Sequence, residues 1–155
     1  MIDLRTTEQN LKAHVEALTK TIGERSVSCL WNLEKTAEYI EAFYQEINVD
    51  SQREPYFYRK KTVSNIVADI VFTNESSKVL LLGAHYDSLK GTVGADDNAS
   101  AIAVQLEVAK VLAGLKATKI LDLTVRLVSF ALEEPPAYGT RSMGSRVYAR
   151  KAKKE

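Results

Sequence analysis

Apolar residues recur with helical spacing in several parts of this chain. In the first predicted helix they fall three or four positions apart and share one face, namely Leu11, Val15, Leu18 and Ile22. Thr6 and Gln9 have the spacing of a capping box at its start, and Gly23 follows its last apolar residue. The pattern therefore predicts an amphipathic helix that ends at Gly23.

Three further helices follow from the same periodicity. The second starts after Ser28 and carries a single apolar stripe, made of Leu33, Ala37, Ile40, Tyr44 and Ile47. The third spans residues 98–115 and is apolar on so wide a face that we expect it to be buried on much of its circumference. A fourth helix is predicted over residues 145–154.

The segments between these helices have the composition of β-strands. Residues 63–72 are rich in β-branched and aromatic side chains. Residues 79–84 form a near-continuous apolar run, which is typical of a central strand buried on both faces, and residues 123–132 predict another interior strand. Helices before, between and after strands predict a layered α/β fold, and no linker divides residues 1–155, so we expect a single domain.

The amino-acid composition limits the kinds of partner and site that this protein can have. The 155 residues are 45% apolar, enough for the core of one domain. The 21 basic residues nearly cancel the 20 acidic ones, so net charge gives no support to a nucleic-acid or membrane partner. The single cysteine, Cys29, excludes an internal disulfide and a cysteine zinc cluster within one chain.

The N-terminus has no apolar signal-peptide stretch, and we expect no run to be long enough to span a bilayer. The default expectation is a cytoplasmic, reduced protein. A chain trimmed of its signal peptide would look the same, so a secreted or periplasmic parent stays open.

Histidine and carboxylates follow the predicted strands, where α/β folds build their sites. His85 ends one strand at the carboxyl edge of the sheet. Asp87 is placed to accept the second ring N–H and so to fix the imidazole tautomer. Asp96 and Asp97 precede the third helix, near the positive end of its dipole, and a carboxylate can bridge two metal ions about 3.5–4 Å apart.

Glu133 and Glu134 end another predicted strand, where both side chains can converge on one pocket. One of them can bind a metal while the other acts as general base toward a water molecule. Each group alone also has an ordinary explanation, as a hydrogen-bonded structural histidine, a helix N-cap or a solvated strand end. Their order, spacing and strand context together favour a zinc hydrolase site.

Three motifs in this order resemble the two-zinc aminopeptidases of metallopeptidase family 28. They are His85-x-Asp87, Gly94-Ala95-Asp96-Asp97-Asn98-Ala99-Ser100 and Glu133-Glu134-Pro135-Pro136. Residues 143–149 and the turn Ile22-Gly23-Glu24-Arg25 are also similar to that family. The resemblance runs nearly end to end, with a small departure at Ala101, where the family usually has glycine at the start of the helix.

This resemblance implies a three-layer α/β/α fold with a mixed sheet. The fold is the zinc-peptidase (phosphorylase/hydrolase-like) fold, and we expect only its N-terminal portion, truncated after the fourth or fifth strand. The implied activity is hydrolysis of N-terminal peptide bonds with two zinc ions in the complete domain. The implied substrates are peptides with free, usually hydrophobic N-termini.

The resemblance also assigns roles to individual residues. His85 would bind one zinc ion, Glu134 would bind the second, and Asp97, not Asp96, would bridge both. Asp87 would orient His85. Glu133 would be the general base that takes a proton from the attacking water and passes it to the leaving amine.

Two further ligands of the family, an acidic residue and a histidine, have no counterpart in this sequence. The only other histidine, His14, lies upstream of every motif and is predicted to be a surface residue of the first helix. Because each zinc ion keeps two of its three protein ligands, we expect weak or absent zinc and no aminopeptidase turnover from this chain alone.

Two alternatives stay open. The chain is also compatible with a non-catalytic remnant that binds a partner or forms a homo-oligomer through an exposed sheet edge. Glutaminyl cyclases share the fold but use a single zinc ion and no hydrolytic water. The glutamate pair and Asp97 suit a peptidase or a cyclase.

Overall fold

The computed structural model describes residues 3–73, 77–116, 118 and 121–153. Its helices are α1 (Leu4–Glu16), α2 (Leu30–Glu46), α3 (Ala101–Lys116) and α4 (Gly144–Ala152). Its strands are β1 (Ser51–Tyr58), β2 (Lys61–Val71), β3 (Val79–His85) and β4 (Thr124–Phe130). Two short π-helical segments extend the helices: Ala17–Ile22 continues α1, and Ala95–Ser100 precedes α3.

The four strands form one mixed sheet in the order β1-β2-β4-β3. β2 pairs antiparallel with β1 and with β4, whereas β3 pairs parallel with β4. Side chains alternate between the two faces of the sheet, so Ile66 and Leu127 join the main core with α2 and α3. Val67 and Val128 face the opposite side and pack against Tyr148 of α4. The predicted three-layer α/β/α fold with a mixed sheet is confirmed.

The strand at residues 79–85 is not the central strand that its apolar run predicted. β4 lies between β2 and β3, so within the described residues β3 has one neighbour and forms an edge of the sheet. Val79 and Leu80 are consequently 55% and 54% exposed. The interior strand is β4, as predicted from residues 123–132, and Val125, Leu127, Val128 and Ser129 are buried there.

The first helix differs from its prediction at both its start and its buried face. The carboxylate of Asp3, and not a capping box, caps α1 by accepting bonds from the Arg5 N–H at 3.1 Å and the Thr6 hydroxyl at 2.6 Å. The helical path does end at Gly23, which has φ +90°. His14 was predicted to be a surface residue but is buried, with 6% exposure, because α1 packs against α3 and places the imidazole beside Tyr39 and Glu107.

The second and fourth helices lie where the periodicity placed them. α2 begins at Leu30, and its buried positions include the predicted stripe residues Leu33, Ala37, Ile40 and Tyr44. α4 begins at Gly144, one residue before the predicted start, and Lys154 of the predicted helix lies outside the described residues.

The third helix is the main core helix. Its inner face buries Ile102, Leu106 and Ala109, and the Gln105 amide donates to the backbone oxygens of Leu82 and Val128 at 3.0 and 3.1 Å, which ties it to β3 and β4. Its outer face is more open than predicted, since Val104 is 52% exposed. Contrary to expectation, the run Ala95–Lys116 is long and apolar enough to cross a membrane by length and composition alone. Core helices pass the same test, so the absence of a membrane partner stays a prediction.

Candidate metal centre

His85 lies at the carboxyl end of β3, opposite Phe130 of β4, and points into a cluster of carboxylates. Its Nε2 is 2.9 Å from an oxygen of Asp97 and 3.9 Å from an oxygen of Glu133. Burial lowers the pKa of the His85 imidazole, but the Asp87, Glu133 and Asp97 carboxylates outweigh burial and raise that pKa above its ordinary value. The cluster therefore favours a positive charge at this point.

Asp87 connects His85 to the glutamate pair. It is almost fully buried, and its two oxygens accept the backbone N–H groups of Glu133 at 2.9 Å and Glu134 at 3.0 Å. The His85 Nδ1 lies 3.3 Å from one of these oxygens, within ion-pair distance but not aligned as a hydrogen bond. The predicted orienting contact to His85 is thus present as proximity, and the well-aligned bonds of Asp87 hold the backbone that carries the glutamates.

Asp97 reaches His85 from the segment before α3. Gly94, with φ +51°, turns the chain into Ala95–Ser100, and Asp97 and Asn98 interrupt the helical path of that segment. The peptide bond between Asp97 and Asn98 is cis. Asp97 has a side chain that is 73% exposed, so this part of the cluster is open to solvent. Asp96 does not belong to the group of potential ligands around His85, and the bridging role of Asp97 stays a prediction.

The glutamate pair follows β4 in a turn that is held by its surroundings. The Asn65 side chain accepts the Ala131 N–H at 3.0 Å, and the Tyr56 hydroxyl donates to the Ala131 oxygen at 2.9 Å. Glu134 is buried, with 8% exposure, whereas the Glu133 side chain is 32% exposed. The more accessible glutamate is therefore the one predicted to act as general base.

The buried glutamate is electrostatically strained. Burial, and then the Asp97 and Asp87 carboxylates, raise the pKa of Glu134 above its ordinary value, although His85 opposes the shift. Like-charged carboxylates that face each other in this way are stabilised by a cation.

The three predicted metal ligands lie close together. One atom each from His85, Asp97 and Glu134 lies within 4.8 Å of the others. Imidazole nitrogen and carboxylate oxygen are donors that Zn²⁺ accepts, so these residues fit the metal that the sequence predicted. The individual roles of the three ligands, of Asp87 and of Glu133 stay predictions.

Sequence reasoning assigned no role to Tyr56 or Asn65, which bond to the backbone of Ala131 beside the glutamate pair, or to Arg25, which bonds to the backbone oxygens of Tyr86 and Gly94. For Arg25 the available signal was the predicted resemblance of the Ile22-Gly23-Glu24-Arg25 turn to the family. Tyr56 and Asn65 lie within strands and carry no motif. Strand composition alone cannot identify such residues, since their contacts are with loops distant in sequence.

Relatives of this chain include proteins about twice its length. The protein named Uncharacterized protein YfbL of Escherichia coli (strain K12) is 36% identical in an alignment of length 151, and the alignment covers 91% of this chain and 44% of YfbL. The chain thus spans less than half the length of the curated relative it matches. Any activity of the full-length relative can therefore only be proposed for this chain.

Solved structures share the fold. Macrostomum lignano glutaminyl cyclase is similar with a TM-score of 0.76 and 23% identity, over 98% of this chain and 48% of the cyclase. A leucine aminopeptidase precursor from Bacteroides thetaiotaomicron is similar with a TM-score of 0.68 and 18% identity, over 96% of this chain and 56% of the precursor. Both similarities extend to the fold alone.

A protein-family model also matches this chain, and the match covers the three motifs of the cluster. The matched region begins in β2 and includes His85, Asp97 and both glutamates. Because the Peptidase family M28 model matches residues 65–155, more than half of the sequence, this chain belongs to peptidase family M28.

Proposed function

We propose that this chain carries the first part of a zinc aminopeptidase site, which hydrolyses N-terminal peptide bonds once its ligand set is complete. The observation that carries the proposal is the convergence of His85, Asp97 and Glu134 within 4.8 Å, with a Glu133 oxygen 3.9 Å from the His85 ring nitrogen. Membership of a peptidase family supports hydrolysis as the reaction class.

The positions of the side chains in the cluster suggest a different role for each of them. His85, Asp97 and Glu134 would hold zinc, which supplies Lewis-acid polarisation of the scissile carbonyl and acidifies water. Glu133, the more exposed glutamate, is placed to accept a proton from the attacking water and to return it to the leaving amine. Asp87 would fix the direction of this base, because it holds the Glu133 backbone N–H at 2.9 Å. The open side near Asp97 would admit a peptide with a free N-terminus.

Zinc titration of the purified chain tests the metal site. We expect weak zinc binding by the wild type and its loss in Asp97→Ala, measured by competition with a chromophoric chelator. Asp96→Ala is the matched control, since it removes an adjacent exposed carboxylate outside the cluster. Equal zinc affinity in Asp97→Ala and the wild type would contradict the proposal.

An activity assay tests whether the ligand set of this chain is complete enough for catalysis. With only part of the ligand set, the chain alone should not hydrolyse leucine p-nitroanilide at a measurable rate, because loosely held zinc is lost to solvent. Hydrolysis that is abolished by a chelator and by Glu133→Gln would show that the chain completes its own ligand set, for example across a subunit interface.

A single-zinc site of the glutaminyl-cyclase type is a second candidate. It is favoured by the presence of three ligand atoms within 4.8 Å of one another, because a single catalytic zinc ion takes three protein ligands. Saturation with zinc separates the two candidates. One equivalent per chain supports the cyclase-like site, and two equivalents support the peptidase.

Self-association without catalysis is a third candidate, and the exposed edge strand favours it. Val79, Leu80 and Leu81 are 55%, 54% and 43% exposed on β3, beside backbone groups that pair on one side only within the described part of the chain. Such an edge is a template for pairing with a second copy. Sedimentation velocity should show a dimer that Leu80→Lys weakens, whereas a monomer at high concentration would exclude this candidate.

A further inference from the structure

Arg25 is completely buried beneath the metal centre, in the turn that follows α1. Its guanidinium group donates to the backbone oxygens of Tyr86 at 2.9 Å, Leu18 at 2.9 Å, Gly23 at 3.0 Å, Val93 at 2.7 Å and Gly94 at 3.0 Å. One side chain therefore joins three separate segments of backbone.

Two of these segments carry predicted metal ligands. Tyr86 lies between His85 and Asp87, so the bond to its carbonyl holds the turn after β3. Gly94 begins the segment that carries Asp97, and its oxygen accepts the Ala99 N–H at 3.0 Å as well as the Arg25 bond. Arg25 is thus bonded directly to the backbone of the turn that carries His85 and to the backbone of the segment that carries Asp97.

The backbone of Arg25 adds a further link. Its N–H donates to the Ser88 hydroxyl oxygen at 3.0 Å, and that hydroxyl donates to the Thr92 oxygen at 3.1 Å. The connection between the His85 turn and Gly94 is therefore held at its start, its middle and its end.

The charge of Arg25 makes an ordinary packing role a poor explanation. Among the described residues no carboxylate lies within ion-pair distance of its guanidinium. Burial lowers the pKa of Arg25 and outweighs the Asp87 carboxylate, which raises that pKa from farther away, so the buried charge is costly. An apolar side chain would fill the same volume without that cost. Five carbonyl acceptors in different directions instead require the planar fork of arginine, whose N–H groups are fixed in space.

We propose that Arg25 is a positioning residue of the metal centre, which holds the His85 turn and the Asp97 segment at the separation that metal binding requires. This inference rests on the proposed metal site but not on the peptidase reaction.

Cobalt binding to three variants tests the proposal. Co²⁺ is the probe, because its visible absorption reports both affinity and ligand geometry. Arg25→Met removes the donors but keeps most of the side-chain volume, and Arg25→Lys keeps the charge with fewer donors. The control is Arg126→Met, which breaks the bidentate pair with Asp69 at 2.8 and 2.7 Å without touching either ligand segment.

All variants are compared at a temperature where circular dichroism shows them folded. We expect Arg25→Met to lose at least tenfold in Co²⁺ affinity and to change the absorption spectrum. Arg25→Lys should recover part of the loss, and Arg126→Met should stay within twofold of the wild type even if its Tm falls. Unchanged affinity and spectrum in folded Arg25→Met would overturn the proposal. If Arg25→Met does not fold, Co²⁺ affinity and an absorption spectrum in Arg25→Lys that equal those of the wild type would overturn the proposal.

A measurement without metal separates this proposal from the proposed function. In Arg25→Met we expect at least tenfold faster amide hydrogen exchange at Ala99, whose N–H bonds to the carbonyl that Arg25 also binds. Arg126→Met should leave Ala99 unchanged. If the wild type binds no Co²⁺ but Arg25→Met shows this exchange pattern, the metal site is refuted, whereas the finding that Arg25 holds the Gly94 segment in place stands. Unchanged exchange at Ala99 overturns that role.

Discussion

Replacing Asp87 with asparagine would test how the centre is assembled. The amide side chain has nearly the same shape as the carboxylate, but one acceptor oxygen becomes an NH₂ donor. The two Asp87 oxygens accept the Glu133 and Glu134 N–H groups, so Asp87→Asn can preserve only one of these bonds and must place the other N–H against a second donor.

The expected cost follows from the burial and charge of these bonds. Asp87 is 1% exposed, so water cannot replace the lost acceptor. A hydrogen bond to a charged group contributes about 1.5–3 kcal/mol, and the bond that survives weakens from charge-assisted to neutral. We therefore expect Asp87→Asn to lower the free energy of unfolding by about 2–4 kcal/mol at pH 7 in urea titrations.

The same substitution should lower the pKa of His85, which Asp87 helps to raise. In the metal-free wild type, a raised pKa means that protonation of His85 stabilises the fold fully below a pH of about 6.5. That contribution is lost as the pH rises through the folded-state pKa. Asp87→Asn should shrink it, and NMR titration of the two histidines measures the change directly, with His14 as the internal reference.

Asp69→Asn is the matched control for the stability measurement. Asp69 also makes two short bonds, to Arg126, but its side chain is 31% exposed and lies away from the metal centre. Its replacement should cost less than about 1 kcal/mol and leave the pKa of His85 unchanged. The reasoning fails if Asp87→Asn costs no more than Asp69→Asn, or if the His85 pKa does not fall.

Two other predictions concern His14 and Gly94. Burial lowers the pKa of His14, although Glu107 opposes the shift, so wild-type stability should fall as the pH drops below about 6.5. His14→Gln should flatten that slope in urea titrations between pH 5 and pH 7, and an identical slope would count against a buried neutral imidazole. At Gly94, with φ +51°, a Cβ would collide with the Asp97 carbonyl oxygen, so Gly94→Ala should weaken zinc binding as well as stability. Gly139→Ala is its control, because φ is +70° there but the space is open, leaving only backbone strain of about 1–2 kcal/mol and unchanged zinc affinity.

The sequence alone predicted most of the helices and strands and proposed the candidate residues of the centre. The periodicity of α2 and the strand composition of β2 and β4 are local properties, and local patterns predicted them correctly. His85, the Asp96–Asp97 pair and the glutamate pair were identified as candidates because each follows a strand or precedes a helix in a motif of adjacent residues, and the choice of Asp97 over Asp96 came from the family resemblance. Adjacent residues stay together in any fold, so such motifs can be identified before the fold is known.

Only the tertiary structure decided which strands are neighbours, which helix faces are covered and which distant residues are in contact. An apolar run cannot report its number of neighbours, so β3 was placed at the centre of the sheet although β4 separates it from β2. His14 is buried because α1 packs on α3, and a single helix pattern contains no information about the residues that cover it. Arg25 contacts Gly94, 69 positions away in sequence, and Asp87 contacts Glu134, 47 positions away. These long-range bonds join the segments that carry the candidate ligands, and they arise from chain topology, which local residue patterns do not reveal.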